Sequence, residues 1–164
     1  MSGDTYYTIQ NTGEGLYREK MSRFLSFALH IDSADQARSF IKDYQNKYHD
    51  SRHVCWAYQL GPDGGEWQLN DNGEPSGTAG KPILGQIRSF GLTDVLVVVV
   101  RYFGGIKLGT SGLIVAYREA ASLALENAGR LECHSSTPVS VEFPYMAADK
   151  VIKLSKGEGI FVRD

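Results

Sequence analysis

The sequence predicts an α+β fold with a two-layer architecture, in which a mixed β-sheet carries its helices on one face. β-rich segments separated by turn residues fill the first part of the chain, as in antiparallel hairpins. Helical segments later alternate with strands, as crossover connections do. Residues 95–100, VLVVVV, form a dense aliphatic run that is typical of a strand buried on both faces. A chain of 164 residues with 42% hydrophobic content is long enough to bury its own core.

The first half of the chain is predicted to contain hairpins around a single helix. Ser33 and Gln36 have the spacing of a capping box, which marks a helix start. The helix that follows has an apolar face at helical spacing, which predicts packing against the core. Its members are Ala37, Phe40, Ile41, Tyr44 and Tyr48. The predicted strands are residues 5–10, 16–20, 24–31, 54–60 and 66–69, with turns at 11–13 and 61–65.

The second half begins with a long loop at residues 70–80, which has no large apolar side chain. Pro82 suits a first helical turn and Gly91 a helix end, so residues 81–90 are predicted as a helix. The strand at residues 95–100 follows. Residues 108–127 are then predicted as a helix whose small side chains imply a close approach to the sheet.

Residues 138–164 contain a further strand–helix pattern. The predicted elements are a strand at 139–143, a helix at 146–155 and a final strand at 160–162. The segment is too short to bury a core of its own. We therefore expect a main domain at residues 1–137, with residues 138–164 packed on it, paired with another chain or forming the start of a second domain.

Charge is unevenly distributed. The formal net charge is −2, but residues 81–118 carry five cations against the single acid Asp94. This basic segment suits a local anionic partner better than a long duplex. The N-terminus lacks the basic and apolar regions of a leader peptide, and the longest apolar run is far shorter than a membrane span, so a cytoplasmic protein that does not bind membranes is expected.

The loop at residues 101–112 is the first candidate site. Its glycines follow neither the P-loop nor the GxGxxG spacing. It nevertheless delivers Arg101 and Lys107 to the predicted N-terminus of a helix, where backbone N–H groups favour anions. The alternative is that the glycines serve packing and that Arg101 pairs with an acid such as Glu74.

The loop at residues 71–81 is the second candidate, because long loops inside compact domains are often functional. Glu74 could act as a general base or hold Arg101. The second role is favoured because no partner carboxylate has suitable spacing.

Catalytic and metal signatures are weak. His53 and Cys55 lie on one strand face and could form an activated thiolate, but a buried structural cysteine is far commoner. Cys133 and His134 are adjacent rather than ligand-spaced, so zinc is not expected. Two cysteines without a CxxC pair argue against a disulfide scaffold. Nothing requires an enzyme, and no catalytic residue, cofactor or metal is predicted.

Four motifs resemble those of the IMPACT family, in its YigZ-like bacterial branch. They are KMSRF (20–24), RHVCWAY (52–58), GEPSGTAGKP (73–82) and RYFGGIKLGTSGL (101–113), in the family's order. The resemblance implies a ribosomal protein S5 domain 2-like fold over residues 1–137. It also implies that residues 138–164 are the truncated start of a ferredoxin-like second domain. Eukaryotic members regulate translation by competing for an activator of a kinase that phosphorylates an initiation factor.

The leading hypothesis is a non-enzymatic binding protein linked to regulation of translation or the stress response, acting as a monomer or dimer. Its partner would be RNA, the ribosome, a translation-related protein or another phosphate-type anion. The alternative is a small-molecule phosphate or nucleotide site, possessed by a binding protein or an enzyme, at residues 101–112. A third is pure protein–protein recognition through the sheet or the C-terminal segment. The predicted binding residues are Glu74, Ser76, Thr78, Lys81, Arg101, Tyr102, Gly104, Gly105, Lys107, Gly109, Thr110 and Ser111.

Overall fold

The computed structural model describes residues 4–135, of which Thr5–Cys133 form one compact unit. The predicted elements after residue 137 lie outside the described residues, so the division at residue 137 stays a prediction. The elements in chain order are β1 (Asp4–Ile9), β2 (Gly13–Glu19), β3 (Ser22–His30), α1 (Ala34–Lys47), β4 (His53–Leu60), β5 (Glu66–Asn70), α2 (Gly80–Ser89), β6 (Val95–Tyr102), α3 (Gly109–Ala128) and β7 (Arg130–Ser135).

The α+β class is confirmed, and each helix and strand predicted before residue 128 is present. The capping box of α1 forms with one variation. Ser33 Oγ accepts the Gln36 N–H at 3.1 Å, but the Gln36 side chain accepts the N–H of Asp32 rather than that of Ser33. Strand β7 was not predicted; it pairs with β1 in a small two-stranded sheet.

The main sheet is antiparallel throughout, which corrects the prediction of a mixed sheet. Its order is β2-β3-β6-β4-β5, and every neighbouring pair is antiparallel. Strands β3 and β4, which α1 connects, are parallel to each other, as a crossover requires. Strand β6, which is antiparallel to both, lies between β3 and β4. Likewise β5 and β6, which α2 connects, are parallel to each other, and the antiparallel strand β4 lies between them. The connections were predicted; the inserted strands were not.

Helices cover both faces of this sheet, which corrects the prediction that they lie on one face. Side chains of β6 alternate between two cores. Val95, Val97 and Val99 pack in a core with α2 and α3, whereas Leu96, Val98 and Val100 pack in a second core with α1. A strand that is apolar on both faces needs a cover on each, and the apolar face of α1 supplies the second one.

Strand β2 and helix α3 approach each other closely, as the small side chains of α3 predict. The contact depends on glycine in β2. A Cβ atom at Gly13 would lie 2.1 Å from the carbonyl oxygen of Ala124 and 2.7 Å from Cβ of Ala128. Backbone therefore packs against backbone at this point, and α3 is held in a fixed position relative to the sheet.

Gly13→Ala should lower the free energy of unfolding by about 1–3 kcal/mol, because the added methyl group overpacks the β2–α3 contact. Urea denaturation followed by circular dichroism measures the change. Gly85→Ala is the matched control, because a Cβ atom there has no neighbour within 4 Å. In helix α2 this control should raise stability by about 0.5–1 kcal/mol. Equal effects of the two substitutions would contradict the close approach.

Candidate functional site

Two loops meet at one end of the main sheet. Residues 71–79 join β5 to α2, and residues 103–108 join β6 to α3. The Asp71 carboxylate shapes the first loop by accepting backbone N–H groups of Gly77 at 2.9 Å, Ala79 at 3.1 Å and Gly80 at 2.8 Å. These bonds also cap α2, whose N-cap residue is Ala79 and has no side-chain oxygen. Asp71 is therefore a structural acid.

A buried ion pair connects this end of the sheet. Arg101 Nη1 donates to both carboxylate oxygens of Glu74, at 3.1 and 2.8 Å, and the two side chains are 6% and 3% exposed. Tyr117 of α3 donates its hydroxyl to Glu74 Oε2, and Arg101 Nη2 donates to Ser22 Oγ at 3.4 Å. The prediction that Glu74 holds Arg101 is confirmed. The pair ties together β3, β6, α3 and the loop at 71–79.

His53 belongs to the same cluster. Its Nδ1 lies 2.8 Å from the carbonyl oxygen of Asn72, which can only accept, so Nδ1 carries a hydrogen. Its Nε2 lies 3.5 Å from Glu74 Oε1. Both ring nitrogens therefore face protein groups. His53 therefore contacts the loop at 71–79 through Asn72 and lies beside Glu74.

Cys55 is a core residue. It is fully buried, and its thiol donates to the carbonyl oxygen of Asp71 at 3.1 Å. Burial raises the pKa of the Cys55 thiol well above its usual range, with the nearby Glu74 and Asp71 charges adding to the effect. Burial likewise raises the pKa of Tyr117, which keeps its hydroxyl a donor. A protonated, buried thiol does not suit a nucleophile, so the structural interpretation of Cys55 is supported.

A cavity of about 390 Å³ opens beside the ion pair, and we call it the α3 pocket. Helix α3 begins at Gly109 on one of its walls, with Leu108 at the N-cap position and no side-chain cap bond. The first N–H groups of the helix thus lack intrahelical or side-chain acceptors. The pocket is lined by Arg52, His53, Glu74, Pro75, Arg101, Phe103, Lys107, Leu108, Gly109, Thr110 and Leu113.

Five of the twelve predicted binding residues line the α3 pocket: Glu74, Arg101, Lys107, Gly109 and Thr110. Four others are exposed and lie close to these residues in the sequence, but they do not line the pocket: Ser76, Gly104, Gly105 and Ser111.

The remaining three predicted residues lie elsewhere. Thr78 is buried, and its hydroxyl donates to the carbonyl oxygen of Pro75 at 2.6 Å. Lys81 is exposed in the first turn of α2. Tyr102 follows Arg101 on the strand and so points to the opposite sheet face, where its hydroxyl donates to Asp50.

Sequence reasoning missed Arg52 and Phe103 as members of this site. Arg52 precedes β4, and its N–H bonds to the carbonyl oxygen of Arg101 at 2.9 Å. Its guanidinium lies over the Phe103 ring, 4.6 Å from the centroid. Their proximity depends on β4 pairing with β6, which no local pattern of the sequence indicates.

The described part of the chain, residues 4–135, contains no group of three or more side chains suited to hold a metal ion. Within the same residues, no helix combines the length and the apolar character needed to cross a membrane.

Comparison with known proteins gives a consistent family. Residues 20–125 match the Impact N-terminal domain. IMPACT family member YvyE of Bacillus subtilis is 38% identical over 128 residues, covering 78% of this chain and 59% of the relative. IMPACT family member YigZ of Escherichia coli is 40% identical over 123 residues, covering 74% and 59%. The chain thus spans about 59% of the length of these relatives.

A solved structure shares the fold. It is a crystal structure of a hypothetical protein, 35% identical in sequence, and it superposes with a TM-score of 0.75. The match covers 81% of this chain and 65% of that one. The architecture described above is therefore also that of a solved relative.

Arg101→Met should lower the free energy of unfolding by about 3–5 kcal/mol, because Glu74 would keep a buried and uncompensated charge. The double variant Arg101→Met/Glu74→Leu should recover most of that loss, since it removes both charges. Urea denaturation of all three proteins measures the effect. Arg38→Met, which breaks an exposed pair with Asp35, is the control and should cost under about 1 kcal/mol. If Arg101→Met lowered the free energy of unfolding as little as Arg38→Met, the result would contradict a buried ion pair between Arg101 and Glu74.

Proposed function

The chain belongs to the IMPACT family, and on this premise we propose that it is a non-enzymatic regulatory protein of translation that binds RNA through the α3 pocket. The observation that carries the proposal is the meeting of an uncapped helix N-terminus with two exposed cations, Arg52 and Lys107, in one cavity. Neither cation has a carboxylate partner within 4.0 Å among residues 4–135. Helix N–H groups and cations together favour a phosphate group.

The ion pair decides which charges a ligand meets. Glu74 is neutralised by Arg101 inside the protein, so it does not repel an anion strongly. Arg101 also lines the pocket, and its Nε is a buried donor without a hydrogen-bond partner in the described part of the chain.

Binding is favoured over chemistry because the acid–base groups near the pocket are already engaged. Glu74 accepts from Arg101 and Tyr117, His53 faces Asn72 and Glu74, and the Cys55 thiol is buried. The regulatory role follows from the family resemblance, in which eukaryotic members act on translation. RNA is the partner that fits both observations, because it takes part in translation and its phosphates suit a basic pocket.

A small phosphate ester or nucleotide is the second candidate. The cavity volume of about 390 Å³ lies in the range of small-molecule sites, and the apolar side chains of Phe103, Leu108 and Leu113 could cover a base. Thermal stabilisation by a nucleotide, without any RNA binding, would favour this candidate over the first.

The test measures binding of a fluorescent single-stranded RNA as salt is raised. Arg52→Ala/Lys107→Ala should weaken binding at least tenfold and reduce the magnitude of the salt slope by about 1.4, if each cation contacts one phosphate. Arg38→Ala/Lys42→Ala, which removes two exposed cations from α1, is the charge-matched control and should have little effect. Absence of binding by the wild type, or equal losses in the two variants, would refute the proposal.

A further inference from the structure

Cations from three separate stretches of the chain gather at the end of the sheet that holds the α3 pocket. Strand register places the end of β2, the start of β3, the end of β6 and the start of β4 side by side. The exposed cations there are Arg18, Lys20, Arg23, Arg52 and Lys107. The acids at this end are the half-buried Glu19, the exposed Asp50 that accepts from Tyr102, Glu74 within its ion pair, and Asp71, which accepts backbone N–H groups of its own loop. The surface is therefore basic overall.

Three concavities follow one another along this end. The α3 pocket shares Arg52 and Phe103 with a depression of about 270 Å³ that also includes Tyr102. A third depression, of about 380 Å³, lies along residues 18–23. The Arg23 guanidinium links the second and third, because it lies over the Tyr102 ring at 4.7 Å from the centroid. We call this surface the strand-end track, defined by Lys20, Met21, Arg23, Tyr102, Phe103 and Arg52.

Two pairs of an arginine and an aromatic ring lie along the track. Arg23 covers Tyr102 and Arg52 covers Phe103, and both rings are half-buried. Unpaired bases stack on such rings and on arginine planes, whereas bases within a duplex do not expose their faces. The track crosses four strands, which is roughly 15 Å at the usual strand spacing. These features fit a few nucleotides of a single strand.

The turn between β2 and β3 forms the far end of the track and is fixed to the pocket loop. Met21 is 74% exposed. A Cβ atom at Gly104 would lie 2.1 Å from the Met21 backbone, and the Gly104 N–H donates to Ser22 Oγ at 3.2 Å. The turn therefore keeps a defined position relative to the pocket, although the two are more than 80 residues apart in sequence.

This turn adopts a backbone that its residues disfavour. Lys20 and Met21 have φ values of +47° and +69°, in a two-residue connection where Asn-Gly is the preferred sequence. The substitution Lys20→Asn/Met21→Gly therefore removes the cation and the exposed apolar side chain without opposing the fold. It provides a variant in which lost binding cannot be assigned to unfolding.

We propose that the strand-end track binds single-stranded RNA, which runs from a phosphate in the α3 pocket across Phe103 and Tyr102 to the β2–β3 turn. The proposal rests on the proposed function and extends it to a specific surface and to unpaired RNA. Charge complementarity argues for a polyanion, and the two arginine–aromatic pairs favour RNA over an acidic peptide.

The experiment measures dissociation constants of wild type, Lys20→Asn/Met21→Gly and Arg23→Ala for a ten-nucleotide single strand, its duplex and poly-glutamate. Both variants should bind the single strand three- to tenfold more weakly, and the turn variant should unfold at an equal or higher temperature than wild type. Inorganic phosphate affinity should be unchanged. Lys42→Asn in α1 is the matched control and should behave as wild type.

The outcomes separate the two proposals. If wild type does not bind the single strand, both are overturned. If only the pocket variant Arg52→Ala/Lys107→Ala loses affinity while the turn and Arg23 variants do not, the track is overturned and the pocket stands. Duplex or poly-glutamate binding as tight as that of the single strand would also overturn the assignment to unpaired RNA.

Discussion

The buried ion pair between Arg101 and Glu74 is the constraint on which this end of the molecule depends. A carboxylate that is almost wholly buried is tolerated only when it is paired and hydrogen-bonded, and Glu74 takes its partners from β6 and α3, with His53 of β4 beside it. Those partners fix the loop at 71–79 against β6 and α3. The α3 pocket is the space that remains between these fixed parts.

This constraint also assigns roles to the surrounding charges. Arg101 and Glu74 are conspicuous in the sequence, but their charges largely satisfy each other inside the protein. The charges left for a partner belong to Lys107, which was predicted, and to Arg52 and Arg23, which were not. In our proposal the ion pair shapes the site, and the exposed cations provide the attraction for RNA.

The sequence was informative where local chemistry decides the structure. The pattern of apolar residues and the positions of the glycines predicted α1, α2, α3 and β6. The opposite charges of Glu74 and Arg101 suggested that the two side chains form a pair. The insertion of β6 between β3 and β4 has no local signature, because it depends on pairing between segments about 40 to 80 residues apart. That insertion makes the sheet antiparallel, brings Arg52 to the pocket and brings Arg23 to the surface beyond it, so neither was predicted. The packing of α1 on the second face of the sheet could have been inferred from β6, since a strand that is apolar on both faces needs helices packed on both.

The most direct test of this account is a map of backbone amide chemical shifts during titration with a short single-stranded RNA. The account predicts perturbed amides at residues 20–23, 52–53 and 102–112, with the first turn of α3 among the largest. Amides of α1 and β5 should stay unchanged. Perturbations confined to the opposite end of the sheet, around Trp67 and Arg88, or no perturbation at saturating RNA, would contradict it.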